Sequence, residues 1–135
     1  MGSETTGRLI GIVEDDVSVR VSVDSLLRSA GYKTALFASA EDLLNSDQLH
    51  ALECLIVDIE LPGMSGLELQ KLLVAAELGA PVLVVSSHAE LGARALEQGA
   101  LAALPKPIRG DALLEAIERA LRESRGSADN RPGPI

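Results

Sequence analysis

The sequence predicts an α/β protein in which a five-stranded parallel sheet is covered by helices on both faces. Five short apolar segments alternate along the chain with five amphipathic segments. Each apolar segment is nearly continuous, which is typical of parallel strands buried on both sides, and right-handed crossovers then give a doubly wound sandwich. The length of 135 residues fits one domain, and its 47% of hydrophobic residues supply an aliphatic core, since the chain has one Tyr and one Phe.

The first half of the chain alternates strand and helix twice. Residues 9–13 form an almost uninterrupted apolar run and predict the first strand. Apolar side chains then recur at helical spacing over residues 19–30, and residues 33–37 predict a second, shorter strand. Ser39 is of a type that caps helices, and it predicts a helix over about 40–46.

The second half continues the alternation, with proline and glycine in the turns between its elements. Its predicted strands cover residues 54–57, 82–85 and 101–104. Its predicted helices cover residues 67–76 and 89–98, and the last helix begins at or near Asp111.

The two ends of the chain differ from the part between them. Residues 1–7 are polar and predict a disordered N-terminus that lacks the apolar stretch of a secretory signal. Residues 124–135 are polar and rich in helix breakers, and they predict a flexible tail or the stub of a linker. We therefore expect one folded domain over residues 8–123, which either stands alone or forms the N-terminal part of a longer protein.

Composition excludes several classes of function. The net charge of −8 would repel the phosphates of nucleic acids and anionic membranes, so we expect no direct binding to either. The single cysteine, Cys54, excludes an internal disulfide and a cysteine-cluster metal site. No apolar run approaches the length of about 18 residues that a membrane span needs. These features predict a soluble protein of a reducing compartment, the cytoplasm.

Polar side chains follow four of the five predicted strands. The acidic residues 14–16 follow the first strand, Asp58 the third, Ser86 the fourth and Lys106 the fifth. In an open parallel sheet, ligands bind at the carboxyl ends of the strands, so these groups are expected to meet in one shallow pocket.

The chemistry of these groups suits phosphoryl transfer. Crowded carboxylates without His or Cys favour Mg²⁺, which prefers oxygen ligands. An aspartate beside a metal ion and a lysine can attack phosphorus and form an acyl phosphate. Lys106 would neutralise the phosphoryl oxygens, and the hydroxyl of Ser86 would donate a hydrogen bond to one of them.

Together these segments resemble the receiver domain of two-component response regulators over roughly residues 8–123. The segments that carry the resemblance are IVEDD at 12–16, LIVDIELPGMSG at 55–66, VVSS at 84–87 and PKP at 105–107. The resemblance implies a flavodoxin-like fold of the receiver type, with five helices and the strand order 2-1-3-4-5. It also implies that Asp58 accepts a phosphoryl group from the phosphohistidine of a histidine kinase.

The resemblance further implies a magnesium site. Asp15 and Asp58 would bind Mg²⁺ directly, and Glu14 would bind it directly or through water. The main-chain carbonyl of Glu60 would complete the protein ligands. Asp16 lies one place beyond the acidic pair and is the less favoured ligand.

Other positions match the parts of the family that change conformation. Ser86 matches the switch hydroxyl, Lys106 matches the family's lysine, and the Lys106-Pro107 bond is a candidate cis peptide. Ala103 stands where receivers commonly carry Tyr or Phe, so the usual aromatic switch cannot operate in its usual form.

Glu60 and His88 lie two places after Asp58 and Ser86. In receivers, side chains at such positions border the phosphoryl group. We hypothesise that Glu60 and His88 tune the lifetime of the acyl phosphate, the alternative being that they are solvated surface residues.

The implied partners are a sensor histidine kinase or phosphotransfer protein, an output domain or downstream partner, and a second copy in a possible homodimer. The domain would catalyse only its own phosphorylation and dephosphorylation.

One alternative is a pseudo-receiver that docks without taking phosphate. Ala103 favours this alternative, whereas the intact set of acidic residues, Ser86 and Lys106 opposes it. The other is a phosphatase of the haloacid dehalogenase type, which needs Asp-x-Asp where this chain has Asp58 and Glu60.

Overall fold

A computed structural model of the chain describes residues 7–130, with their side chains up to residue 123. Five strands are present in this part: β1 (Leu9–Val13), β2 (Lys33–Phe37), β3 (Cys54–Asp58), β4 (Val82–Ser86) and β5 (Ala102–Pro105). The α-helices are α1 (Val17–Ser29), α2 (Ala40–Leu44), α3 (Gly66–Ala75), α4 (Ala89–Glu97) and α5 (Gly110–Asn130). A short 3₁₀ helix at Leu49–Ala51 precedes β3.

All neighbouring strands are parallel, and their order is β2-β1-β3-β4-β5. The predicted fold class and strand order are therefore confirmed. The order reverses between β1 and β3, which places the carboxyl ends of these two central strands side by side. This is the position at which open α/β sheets bind ligands.

Alternate residues of each strand enter opposite layers, because successive side chains of a strand point to opposite faces. Ile10, Ile12 and Ile56 pack with buried side chains of α1 and α5. Leu55 and Val57 pack with α2 and α3 on the other face. Both layers exclude water from the central strands, which explains why β1, β3 and β4 are almost continuously apolar.

Strands β3, β4 and β5 each end one residue beyond their predicted ends, and β5 also begins one residue later than predicted. The sequence places Asp58 and Ser86 directly after β3 and β4, whereas each is the last residue of its strand. Asp58 pairs with Val85, and Ser86 pairs with Pro105. Main-chain pairing does not depend on side-chain polarity, so the ladder continues past the apolar run. As a result, both polar side chains are held by the sheet itself.

The boundary predicted near residue 124 is crossed by helix α5, which continues to Asn130. No proline lies between Gly110 and Asn130, and the next one is Pro132. Every residue of α5 therefore has a main-chain N–H that can take part in the helix. The predicted linker role of residues 124–135 stays a prediction. The disorder predicted for residues 1–6 and the flexible end predicted for 131–135 lie outside the described residues.

None of the helices within residues 7–130 combines the length and the apolar character needed to cross a bilayer.

Candidate functional site

The candidate site lies where the carboxyl ends of β1, β3 and β5 meet. Glu14 directly follows β1, Asp58 ends β3 and Lys106 directly follows β5. Glu14 is 5% exposed and Asp58 is 3% exposed. These residues line a cleft of about 700 Å³ that extends between α1 and the start of α5. The cleft exposes two otherwise buried carboxylates to an incoming ligand.

Lys106 is paired with Asp58. Its Nζ atom lies 3.0 Å from Asp58 Oδ1 and 3.0 Å from Oδ2. Burial lowers the pKa of Lys106, but the hydrogen bond and charge of Asp58, together with Glu60 and Glu14, outweigh it and raise the pKa above its usual value. Lys106 is therefore a fixed cation beside the Asp58 carboxylate. The Lys106-Pro107 peptide bond is cis, as expected from the sequence.

Glu14, Asp15 and Asp58 form a group of carboxylates whose nearest oxygens lie within 4.8 Å of one another. The pKa of Glu14 is raised to about 7, chiefly by burial and in addition by the negative charge of Asp58. The main-chain N–H of Asp16, 3.0 Å from Glu14 Oε2, and the charge of Lys106 act in the opposite direction. Carboxylates crowded in this way leave negative charge that a divalent cation would neutralise.

Asp16 has a different position from its acidic neighbours. Its Oδ1 atom accepts a hydrogen bond from the main-chain N–H of Val19 at 3.2 Å, so Asp16 caps the N-terminus of α1. A carboxylate at this place also favours the helix dipole. The capping bond holds the carboxylate of Asp16 at the N-terminus of α1, and its standing as the less favoured ligand stays a prediction.

The Glu60 side chain joins Lys106 to the segment that follows β4. Lys106 Nζ lies 3.2 Å from Glu60 Oε1, and Ser86 Oγ donates to Oε2 at 2.8 Å. The main-chain N–H of Ser87 and the ring Nδ1 of His88 lie 3.1 Å and 2.9 Å from Oε2. Glu60 therefore connects the predicted switch hydroxyl to the predicted lysine.

These contacts control the charge states of Glu60 and His88. Burial raises the pKa of Glu60, but hydrogen bonds from His88, Ser86, Lys106 and Ser87 outweigh it and lower the pKa to about 2. The hydrogen bond to Glu60 raises the pKa of His88. Glu60 is thus ionised at neutral pH. The alternative that Glu60 is simply a solvated surface residue is inconsistent with these bonds, whereas its effect on acyl phosphate lifetime stays a prediction.

The main chain of Glu60 contributes to the site separately. Its N–H donates to Asp58 Oδ1 at 2.9 Å. Gly66 at the start of α3 keeps the loop after β3 close, because a Cβ there would lie 2.6 Å from Ile59 Cα and 2.7 Å from the Asp58 carbonyl oxygen. The loop that carries the predicted Glu60 carbonyl ligand therefore folds tightly over the end of β3.

Small side chains lie between α4 and β5 beside Ala103. A groove of about 410 Å³ lies there, lined by Ala103, Gly92 and Leu96 and reaching Ser86 and Lys106. A Cβ built on Gly92 would lie 3.2 Å from Ala103 Cβ, so small side chains on both elements allow their close approach.

The structure thus brings Glu14, Asp15, Asp58 and Lys106 together, as the sequence predicts. The hydroxyl of Ser86 joins them through the Glu60 side chain. The sequence predicts a main-chain ligand role for Glu60 and a side chain that borders the phosphoryl group, but not the contact of this carboxylate with Ser86. The position of Glu60 two places after Asp58 was the available signal, and it indicated proximity to the site without indicating a partner.

Comparison with known families and proteins agrees with this geometry. The family described as the response regulator receiver domain matches residues 10–118. Response regulator protein TmoT of Ectopseudomonas mendocina is 38% identical over 128 residues, which cover 92% of this chain and 57% of TmoT. Transcriptional regulatory protein FixJ of Bradyrhizobium diazoefficiens is 33% identical over 126 residues, which cover 92% of this chain and 62% of FixJ. The chain thus spans little more than half the length of these curated relatives.

Solved structures show the same similarity. A CheY-like receiver domain protein from Methanospirillum hungatei has a TM-score of 0.80 at 28% identity, with 90% of this chain and 99% of that chain covered. Full-length FixJ from B. japonicum has a TM-score of 0.82 at 34% identity, with 93% of this chain and 63% of that chain covered. The described fold therefore corresponds to a whole chain in the first case and to part of one in the second.

Proposed function

Because the chain belongs to the receiver domain family of two-component response regulators, we propose that Asp58 accepts a phosphoryl group in a Mg²⁺-dependent reaction. The observation that carries this proposal is the position of Asp58. Its carboxylate is 3% exposed, ends a central strand, and has Lys106 Nζ at 3.0 Å and two further carboxylates beside it. An aspartate in these surroundings can serve as a nucleophile toward phosphorus.

The proposed reaction transfers the phosphoryl group from a phosphohistidine of the kinase. An Asp58 carboxylate oxygen forms a bond to phosphorus, the phosphorus–nitrogen bond breaks, and the imidazole nitrogen keeps the electron pair and takes up a proton. Lys106 supplies positive charge to the phosphoryl oxygens as the new bond forms. Ser86 donates its hydroxyl hydrogen to a phosphoryl oxygen in the product.

The carboxylate cluster fits a divalent cation. Glu14, Asp15 and Asp58, together with the main-chain carbonyl of Glu60, are the proposed ligands, and oxygen ligands of this kind suit Mg²⁺. When bound, Mg²⁺ would neutralise negative charge shared between the carboxylates and the phosphoryl group. Burial of Glu14 beside Asp58 supports this assignment, because Lys106 supplies one positive charge whereas the cluster has three carboxylates.

Phosphorylation is proposed to shift the domain between two conformations with different affinity for an output partner. The partners proposed are a sensor histidine kinase or phosphotransfer protein, and an output domain or downstream protein. Relatives such as FixJ are named transcriptional regulators, so control of transcription is the output we favour. The net charge of −8 supports an indirect route in the cytoplasm, without contact of this domain with nucleic acid or a membrane. Homodimer formation on phosphorylation is a further expectation.

Two alternatives predict different chemistry. A pseudo-receiver would dock its partner without taking phosphate, and the assembled Asp58–Lys106 pair argues against it. A phosphatase of the haloacid dehalogenase type would turn over phosphomonoesters, which the family match does not favour. We propose instead that the domain acts only on its own acyl phosphate.

The experiment that tests the function is labelling of the purified chain by acetyl phosphate with and without Mg²⁺. We expect the mass of one phosphoryl group on Asp58, dependent on Mg²⁺ and lost in Asp58→Asn. Asp47→Asn is the matched control, since Asp47 is an exposed residue outside the site. Absence of the mass increase in the natural chain, with donor and Mg²⁺ in excess, would refute the proposal. Steady turnover of a simple phosphomonoester would favour the phosphatase.

A further inference from the structure

The carboxylate of Glu60 is bound by the same groups that are proposed to hold phosphoryl oxygens on Asp58. Ser86 Oγ lies 2.8 Å from Glu60 Oε2, and Lys106 Nζ lies 3.2 Å from Oε1. Ser87 adds its hydroxyl, 3.1 Å from Oε1, and its main-chain N–H, 3.1 Å from Oε2. In this structure an anion from the chain itself therefore occupies these donors.

Ser86 cannot serve two anions at once. A serine hydroxyl has one hydrogen to donate. The Ser86 oxygen already accepts a hydrogen bond from the main-chain N–H of His88 at 2.9 Å, so its role toward an anion is that of donor. That single hydrogen has two acceptors within reach, Glu60 Oε2 at 2.8 Å and the main-chain carbonyl oxygen of His88 at 3.1 Å. To donate to a phosphoryl oxygen, Ser86 must therefore withdraw its hydrogen from Glu60. Lys106 has three N–H groups and can keep Asp58 while it exchanges Glu60 for phosphate.

Charge adds to this competition. A phosphoryl group carries a charge of roughly −1.5 to −2. Placed between Lys106 and Ser86, it would lie beside the ionised carboxylate of Glu60, and like charges at such distances repel strongly in a partly buried site. A phosphoryl group on Asp58 therefore disfavours the position that the Glu60 carboxylate has in this structure, and that position in turn weakens binding of a phosphoryl group.

We propose that Glu60 is an internal competitor of the phosphoryl group: its carboxylate occupies Ser86 and Lys106 before phosphorylation and leaves them when Asp58 is phosphorylated. This inference rests on the proposed function of Asp58. It assigns Glu60 a positioning role that sets the affinity of the site for a phosphoryl group.

The same displacement provides a path from Asp58 to helix α4. His88 is the N-cap residue of α4, and its side chain makes no capping bond; its ring Nδ1 lies 2.9 Å from Glu60 Oε2 instead. Glu60 thus ties Ser86, Ser87 and His88 to the loop after β3. Departure of Glu60 frees this segment, so the signal reaches α4 without an aromatic side chain at Ala103.

The test compares Glu60→Gln and Glu60→Ala with the natural chain. Glu97→Gln is the matched control, because it removes the same charge from an exposed position at the other end of α4. The probe is beryllofluoride with Mg²⁺, a non-covalent analogue of the phosphoryl group, followed by calorimetry. We expect Glu60→Ala to bind it about tenfold more tightly, equivalent to about 1.4 kcal/mol. Glu60→Gln should bind more tightly by a smaller factor, and the control should match the natural chain.

A second measurement reports the loop directly. In amide NMR spectra without beryllofluoride, Ser87 and His88 of Glu60→Gln should shift toward the positions they have in the natural chain with beryllofluoride bound. A structural role of Glu60 alone would not move them in that direction.

The outcomes separate this inference from the proposed function. If the natural chain is labelled on Asp58 but both Glu60 variants bind beryllofluoride no more tightly than it does, Glu60 is not a competitor and Asp58 remains the acceptor. If neither the natural chain nor any variant binds beryllofluoride or is labelled, both proposals are wrong.

Discussion

Nζ of Lys106 lies 3.0 Å from each carboxylate oxygen of Asp58, although 48 positions separate the two residues in the sequence. The parallel sheet produces this pairing, because β3 and β5 both end at the same edge. A cation held symmetrically against a carboxylate can neutralise whichever oxygen does not attack phosphorus. The pair is thus suited to stabilising the charge that a phosphoryl group brings.

Replacement of Lys106 should therefore impair phosphorylation of Asp58. We expect Lys106→Met to slow labelling by acetyl phosphate at least about tenfold, since loss of a preorganised positive group commonly costs more than this. Lys106→Arg should restore only part of the rate, because a planar guanidinium does not reproduce the geometry of an ammonium. Lys33→Met, at an exposed position of β2, should label at the natural rate. Equal rates for Lys106→Met and the natural chain would contradict the assigned role.

Glu14 should make the stability of the metal-free protein depend on pH. Its pKa is raised from 4.5 to about 7 in the folded state, mainly by burial. The stability that protonated Glu14 contributes is therefore complete below pH 4.5 and is lost as the pH rises through about 7. We expect urea unfolding to show a loss on the order of 1–3 kcal/mol across this window. In Glu14→Gln this part of the pH dependence should be absent; an unchanged profile would show that Glu14 does not titrate in this range.

Asp15 should affect metal binding more than folding. It is the exposed member of the carboxylate cluster, so Asp15→Asn removes a proposed ligand without exposing or burying a charge. We expect Mg²⁺ affinity to fall about tenfold or more and the free energy of unfolding without metal to change by less than about 0.5 kcal/mol. The chain has no Trp, so binding is best followed by calorimetry. Asp16→Asn, which alters the helix cap, should leave Mg²⁺ affinity closer to that of the natural chain.

Gly66 should be intolerant of a side chain. A Cβ at Gly66 would lie 2.6 Å from Ile59 Cα and 2.7 Å from the Asp58 carbonyl oxygen, and both are main-chain atoms that cannot move aside separately. We expect Gly66→Ala to lower the free energy of unfolding by about 1–3 kcal/mol. Gly79→Ala is the control, because nothing lies within 4 Å of a Cβ there. If urea titrations gave the two variants equal stability, the close approach of α3 to β3 would be wrong.

Much of the site was predictable because its residues follow apolar runs. Residues such as Asp58, Ser86 and Lys106 come at the ends of strands, and parallel strands bring their carboxyl ends to one edge. The predicted strand ends at 57 and 85 were one residue short, since apolarity indicates burial whereas the ladder is made by the main chain. The contact of Glu60 with Ser86 was not predictable in the same way. It depends on a loop conformation that no periodic pattern describes.

The sequence by itself determined the fold class, the strand order through its family resemblance, and which side chains would gather at the sheet edge. Apolar periodicity and chain order are sufficient for that, because few topologies can bury five such strands. Only the tertiary structure decided which of those side chains bond to one another. It paired Lys106 with Asp58, committed Asp16 to the cap of α1, and placed the Glu60 carboxylate against Ser86. Such pairings depend on the exact relative positions of backbone segments that are far apart in sequence, and these positions are fixed only when the layers pack.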